Sequence, residues 1–268
     1  PPSPTAPAPR WRESSGAALL LAGSSNYEEP ATNESHLTVL PLGTNAPSKN
    51  IPISTASVGP LALADVDGDG HLELFVGGRC VPGRWPEPAS SRLLRQAGGQ
   101  WTPDVENTRT LAGVGLVSGA VFSDLDGDGD ADLVLACEWG PLRVFRNAAG
   151  RLVETTAEWG LERYQGWWNG VTAGDFDGDG RMDVAASNWG RNTGYERFRS
   201  RPLRLYYGDF NGDGSVGLME SCFDDELQHY VPAFSLWTLS TALPWLQVQF
   251  TNYEAFARAE ITEVLGER

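Results

Sequence analysis

Three stretches of this 268-residue chain align without a gap: LALADVDGDGHLELFVGG (61–78), AVFSDLDGDGDADLVLAC (120–137) and VTAGDFDGDGRMDVAASN (171–188). Their first aspartates, Asp65, Asp124 and Asp175, lie 59 and 51 residues apart. In each stretch a short apolar run enters an acidic, Gly-rich turn and a second apolar run leaves it. Runs of this length are too short for stable helices, so each unit reads as a β-hairpin. A third run follows each hairpin (SRLLRQ, PLRVFRN, RPLRLYY), and GRLVETT supplies a fourth after the second of them. Short antiparallel strands recurring at such intervals are the pattern of β-propeller blades, whereas a sandwich would not need near-identical hairpins. The 31 Gly, 18 Pro and 10 Trp residues fit the same all-β reading.

The turns carry the chemistry. Counting the first aspartate as position 1, carboxylates stand at 1, 3, 5 and 9: Asp65, Asp67, Asp69 and Glu73; Asp124, Asp126, Asp128 and Asp132; Asp175, Asp177, Asp179 and Asp183. Glycines at 4 and 6 let the chain curl so that odd-numbered side chains converge. Position 7 (His71, Asp130, Arg181) varies freely, as expected where only the backbone carbonyl is a ligand. Position 8 (Leu72, Ala131, Met182) is expected to anchor the loop on the core. An all-oxygen, strongly negative shell with flexible ligand number favours Ca²⁺ over Mg²⁺. Turn formation alone explains one Asp-Gly pair, but not four acids in register three times. An EF-hand would need flanking helices and a Glu at position 12, where Val76, Leu135 and Ala186 stand.

A fourth stretch, GDFNGDGSVGLMES (208–221), keeps Asp209, Asn211 and Asp213 at positions 1, 3 and 5 and Ser215 at 7, but has Gly217 at 9. Glu220 stands at position 12, so the expectation is a weaker fourth calcium site with Glu220 as its displaced carboxylate. Asp209 follows Asp175 by 34 residues, which places this loop in the later hairpin of the third acidic blade.

The net charge of −15 is concentrated in these stretches. Twelve acids in the three full loops, with Asp209, Asp213 and Glu220, make up 15 of the 35, and the other 20 balance the 20 bases. Nucleic acid is excluded as a partner, since phosphate binding needs clustered Lys and Arg. No apolar run approaches the length of a membrane span. Cys80, Cys137 and Cys222 are too few and too irregular for a disulfide framework or a zinc site, and read as free thiols. Asn33-Glu34-Ser35 matches the N-glycosylation acceptor pattern.

The domain reading is a Pro-rich linker at 1–12, propeller blades at 13–240 and a helical segment at 241–268. Residues 11–56, with GAALLLAGSS and HLTVLPLG, are expected to form a degenerate first blade, giving about four blades in an incomplete array. In TNYEAFARAEITEVLGER, Thr251 and Glu254 have capping-box spacing, Tyr253, Phe256, Ala257, Ile261, Val264 and Leu265 form an apolar stripe, and Gly266 is a stop. One amphipathic helix is expected there, with a shorter one in STALPWLQVQF.

The DxDGDGxxD loops and their flanks resemble the calcium hairpins of FG-GAP or VCBS repeats, the units of integrin-α-type propellers. Over roughly residues 58–266 the chain is similar to secreted bacterial FG-GAP proteins related to the ASPIC/UnbV and cartilage acidic protein group. The resemblance implies an extracellular or cell-surface, calcium-rigidified propeller of four-stranded blades that recognises protein or glycan. It also implies more blades than this chain holds: either the remaining blades lie in sequence beyond this stretch, or they come from a partner, in which case open blade edges would pair in a homo-oligomer, ring or fibre. The alternatives are a lectin-like glycan binder and a propeller lyase or hydrolase. For the lectin, Trp139, Trp159, Trp167, Trp168 and Trp189 are candidate platforms, weighed against packing between blades. The expectation is that the chain is not an enzyme: it has three His, one of them His71 within a loop, and no nucleophile and base in recognisable spacing.

Overall fold

The computed structural model describes residues 18–27, 34–98, 100–190, 193–198 and 200–266. The Pro-rich stretch 1–12 and Asn33 lie outside them. The chain is mostly β, folded as five antiparallel sheets in sequence order. The first contains β1 (Ala18–Gly23), β2 (Ser35–Leu42) and β3 (Lys49–Ser54). The second contains β4 (Ser57–Ala64), β5 (Glu73–Cys80), β6 (Arg92–Ala97) and β7 (Gln100–Pro103), followed by helix α1 (Val105–Thr110). The third contains β8 (Leu116–Ser123), β9 (Asp132–Glu138), β10 (Arg143–Ala148) and β11 (Arg151–Glu154). These two four-stranded meanders have the expected blade topology, each opening on an acidic hairpin.

The sequence of β9, DLVLACE, has no polar alternation, and the packing explains why. Leu133, Leu135 and Cys137 face the second sheet in one core with Phe75, Leu93, Val117 and Phe145, while Val134 lies in a core with Leu125, Val144 and Val171. The strand is buried on both faces, so both faces are apolar. β5 behaves alike, with Phe75 on the third sheet and Leu74 and Val76 in a core with Leu37 and Ile53 of the first. Adjacent sheets come closest at their opening strands. A Cβ on Gly119 would lie 2.7 Å from the Cα of Gly170, and one on Gly59 2.8 Å from the Val117 carbonyl oxygen. Glycine is required there for room rather than for backbone freedom.

The repeat then stops. The fourth sheet is only β12 (Trp168–Gly174) and β13 (Asp183–Asn188), and among the described residues no third strand adds to it. RPLRLYY, expected as that third strand, instead forms β14 (Arg204–Gly208), which opens a fifth sheet with β15 (Gly217–Asp224) and β16 (His229–Pro232). The fourth acidic loop therefore joins the first two strands of its own sheet, and does not belong to the third acidic unit. The helical end begins at α2 (Leu236–Ser240) and continues through α3 (Trp245–Gln249), α4 (Tyr253–Arg258) and α5 (Ile261–Leu265). It shares a core with the fifth sheet: Phe210 and Met219 against Leu236, Leu243, Leu246, Phe256 and Val264. The five sheets do not close into a ring among the described residues.

The single C-terminal helix expected from the stripe is two helices. A straight helix through Phe256 would carry Glu260 onto the same buried face. Instead Ala259 and Glu260 are extended, Ile261 takes the buried position, and the Glu260 carbonyl accepts from the Glu263 and Val264 amides at 2.9 and 3.0 Å. Tyr253 and Ala257, also expected in the stripe, are exposed. The cap is Asn252 rather than Thr251, its side chain accepting from the amides of Glu254 and Ala255, while Gly266 does end α5, at φ 61°.

Candidate metal centres

Each full loop is a scaffold of carboxylates accepting from loop amides. At position 1, Asp65 accepts from Gly70, Asp124 from Gly127 and Gly129, and Asp175 from Gly178, Asp179 and Gly180, at 2.7 to 3.1 Å. Position 3 accepts from the amide of position 5 in all three, at 3.1 to 3.2 Å. Position 9 reaches back to the amide of position 2: Glu73 to Val66 at 2.8 Å, Asp132 to Leu125 at 3.0 Å, Asp183 to Phe176 at 3.0 Å. The glycines at 4 and 6 all have φ between 73° and 96°, in the left-handed region that makes these bonds reachable.

This scaffold brings positions 1, 3 and 9 together. In Asp65, Asp67 and Glu73, in Asp124, Asp126 and Asp132, and in Asp175, Asp177 and Asp183, one oxygen of each residue lies within 4.8 Å of the others. Position 5 is outside each group: Asp69, Asp128 and Asp179 each accept from the amide of position 7, at 2.8 to 2.9 Å. The side chains of His71 and Arg181 are exposed and that of Asp130 half-buried. The donor set is all oxygen, which suits a hard cation. In the first loop Asp65 Oδ1 is buried without a hydrogen-bond partner, an orphaned acceptor that a cation would satisfy. Burial raises the Glu73 carboxyl above its usual 4.5, with Asp67 and Asp69 adding to the shift, and raises Asp132 above 3.8, with Asp126 and Asp128 adding. A bound dication would offset that crowding of negative charge.

The apolar anchor is position 2 rather than position 8. Val66, Leu125 and, in the fourth loop, Phe210 are buried, whereas Met182 at position 8 is exposed. The signal was present in the sequence, since all four loops have a large apolar residue there. Phe176, on the two-stranded fourth sheet, is the exception and is exposed.

Partners of the loops from other elements carry no motif. Arg95 on β6 pairs with both Asp67 and Asp104. Asn147 on β10 is fully buried: its amide donates to Asp132 Oδ1 at 2.8 Å, and its Nδ2 donates to the Val66 carbonyl at 2.8 Å, so one residue ties the second loop to the first.

The fourth loop is built differently. Asp209 accepts from the amides of Asp213 and Gly214, and Asp213 from the amide of Ser215, so the curl is kept. Asn211 points its amide at the Ala242 carbonyl, 3.1 Å away, and thereby ties the loop to the helical end. A Cβ on Gly217 would lie 2.8 Å from Phe210 and 3.2 Å from Leu243. A carboxylate at position 9 has no room: the ring of Phe210 and, from the helical segment, Leu243 pack where that side chain would stand. Glu220 is not brought to the loop. It pairs with Leu205 in the β14–β15 ladder and accepts from the Tyr195 hydroxyl at 2.8 Å. Burial, and then that carboxylate, push the Tyr195 phenol up to about 12.

Of the tryptophans, Trp139, Trp167 and Trp189 join Trp85 in one aromatic ladder, with ring centroids 4.3 to 6.4 Å apart. Trp168 donates to the Tyr164 carbonyl at 3.1 Å, and Trp159 is exposed. The three cysteines are free, and burial pushes the Cys137 thiol up to about 12.

These features define a β-sheet repeat protein with acidic, metal-type hairpin loops. Residues 124–186, from the second loop into the last strand of the third hairpin, match the family model of the FG-GAP-like repeat, which identifies that part of the chain as FG-GAP-like. No curated protein matches the chain. Among solved structures it is similar to the V. cholerae biofilm matrix protein Bap1, with a TM-score of 0.34 and 16% identity. That match covers 83% of this chain, which spans 32% of the length of Bap1.

Proposed function

We propose that this chain is a calcium-binding, calcium-stabilised module of an extracellular structural or adhesive protein, and not an enzyme. The observation that carries the reading is the threefold recurrence of one arrangement: three carboxylate oxygens within 4.8 Å of one another, on hairpins whose strands form the cores between sheets. Ions at those turns would fix both strands of each hairpin, so occupancy and packing are coupled. Extracellular sites of this oxygen-loop kind bind calcium at roughly 10⁻⁴ to 10⁻³ M, which suits constant occupancy outside cells. The fourth loop is proposed to serve as a clasp for the helical end.

The test is thermal unfolding in calcium, magnesium and EDTA, with calorimetric titration of the stripped protein. The expected result is three calcium ions per chain, a melting temperature that rises with calcium well before it rises with magnesium, and one ion lost in Asp132→Asn. A melting temperature indifferent to EDTA would remove the reading. Self-association is the finer part of the proposal. Among the described residues β13 has one unpaired edge, beside exposed Phe176, Met182 and Val184, which would admit a second copy. Light scattering in calcium that finds only monomers at every concentration would remove that part and leave the calcium reading standing.

A further inference from the structure

A cavity of about 450 Å³ lies at the end of β8 and β9 remote from the Asp124 loop, where Leu116 pairs with Glu138, and it is closed on another side by β14. Two of its lining residues hold buried donors with no hydrogen-bond partner: the indole Nε1 of Trp139 and the guanidinium Nε of Arg143. Neither group can act as an acceptor, so each is satisfied only by an acceptor brought in from outside. Leaving such donors buried and unpaired is costly, and native proteins keep few of them. Trp139 is also held at φ 55°, a left-handed conformation that is unfavourable for a bulky residue and persists where the surroundings impose it.

The charge around the cavity has the opposite sign to the chain as a whole. Glu138 in the wall is paired with Arg79, Arg143 uses its Nη1 on Glu154 at 2.8 Å, and Arg204 lies 3.8 Å over the Tyr230 ring. Three guanidiniums thus stand against two carboxylates. The rest of the lining includes Pro86 and Tyr207, residues whose rings can stack on the C–H face of a pyranose. We infer that this cavity binds a carboxylate-bearing sugar, a hexuronate unit, with its oxygens accepting from Trp139 Nε1 and Arg143 Nε and its ring against Tyr207 and Pro86. The volume is within the usual range of small-ligand sites. Since the cavity shares no residue with the metal loops, this inference and the calcium reading fail separately.

The test is a titration of the calcium-loaded chain with sodium glucuronate, followed by ¹H–¹⁵N spectra of the indole N–H and Arg Nε–H groups. Trp139→Phe keeps a ring and Arg143→Lys keeps a charge, so each assigns one resonance by its disappearance, and either alone suffices if the other variant does not fold. Both assigned resonances are expected to move with glucuronate. Glucose and acetate, each lacking part of the recognition, are expected to bind about tenfold more weakly, as for the loss of one charge-assisted hydrogen bond. Glucuronate that leaves both resonances in place would overturn the inference. So would acetate as effective as glucuronate, which would make this a general anion site, or glucose as effective, which would make it a neutral-sugar site.

Discussion

Asn147 is fully buried and engages both metal loops of the central sheets, with its Oδ1 accepting from the Gly150 amide at 2.8 Å as well. Asn147→Ala would leave the Val66 carbonyl and the Gly150 amide without their partner, at a cost of about 1–3 kcal/mol for each buried group left unsatisfied. Urea unfolding of the calcium-loaded chain is expected to read a loss in that range, and calcium titration a weakening at the first site, whose Val66 carbonyl loses its donor, while the backbone N–H of residue 147 still donates to Asp132 in the second. A second residue sets an acid limit. Burial acts to raise the Asp104 carboxyl, but bonds from Arg95 at 2.8 and 3.0 Å and from Asn107 outweigh it and hold the group below its usual 3.8. A depressed carboxylate contributes stability above its unfolded value and loses it as pH falls through the folded value. Asp104→Asn is therefore expected to be less stable at neutral pH and to show a shallower fall in stability below pH 3.8, measured by urea unfolding across that window. Neither residue could be picked out from the sequence. Asn147 sits in PLRVFRN like any strand-end polar residue, and its role depends on how two sheets meet.

At the scale of elements, the hairpins were legible because each repeats a local rule: acids at odd positions, glycines at 4 and 6, apolar strands on both sides. The carboxylates at 1, 3 and 9 converge as their spacing implied. The acid at 5 does not: it accepts from the amide two residues on, as the acid at 3 also does, yet lies outside the group, a difference that spacing alone does not rank. The fourth loop misled for a different reason. Its Glu at position 12 fits an EF-hand count, yet that residue stands on a strand that rises about 3.3 Å per residue and carries it away from the turn. What crowds position 9 is first Phe210 of the same loop, at 2.8 Å, and then Leu243, at 3.2 Å and 26 residues beyond Gly217, which no local pattern could place there. Restoring the family residue should therefore harm the fold. Gly217→Asp is expected to destabilise the fifth sheet by about 1–3 kcal/mol, the usual cost of overpacking. Unfolding monitored by intrinsic fluorescence measures this, and a variant that gained both stability and a calcium ion would show that the helical end can yield.

Across the whole molecule, two kinds of cohesion divide the chain. The first three sheets and β12 are joined by three cores that pass from one sheet to the next, and the three metal-type groups stand on the second, third and fourth sheets. The fifth sheet and the four helices after it are held by a core of their own, rich in Leu and Phe, and among the described residues no such group of carboxylates belongs to it. Stability that depends on a ligand responds to its removal, and stability from apolar burial does not. Chelation should therefore split the unfolding transition. In EDTA the part spanning β1 to β13 is expected to melt first and to lose amide protection around the Asp65, Asp124 and Asp175 loops, while β14 to α5 keeps its protection and its own later transition. Calcium should move only the first transition upward, towards the second. Hydrogen exchange read by mass spectrometry at a temperature between the two transitions distinguishes the halves directly. If the whole chain instead exchanges as one unit, and its single transition moves with calcium, then the contacts across β14 bind the halves more tightly than their separate cores imply.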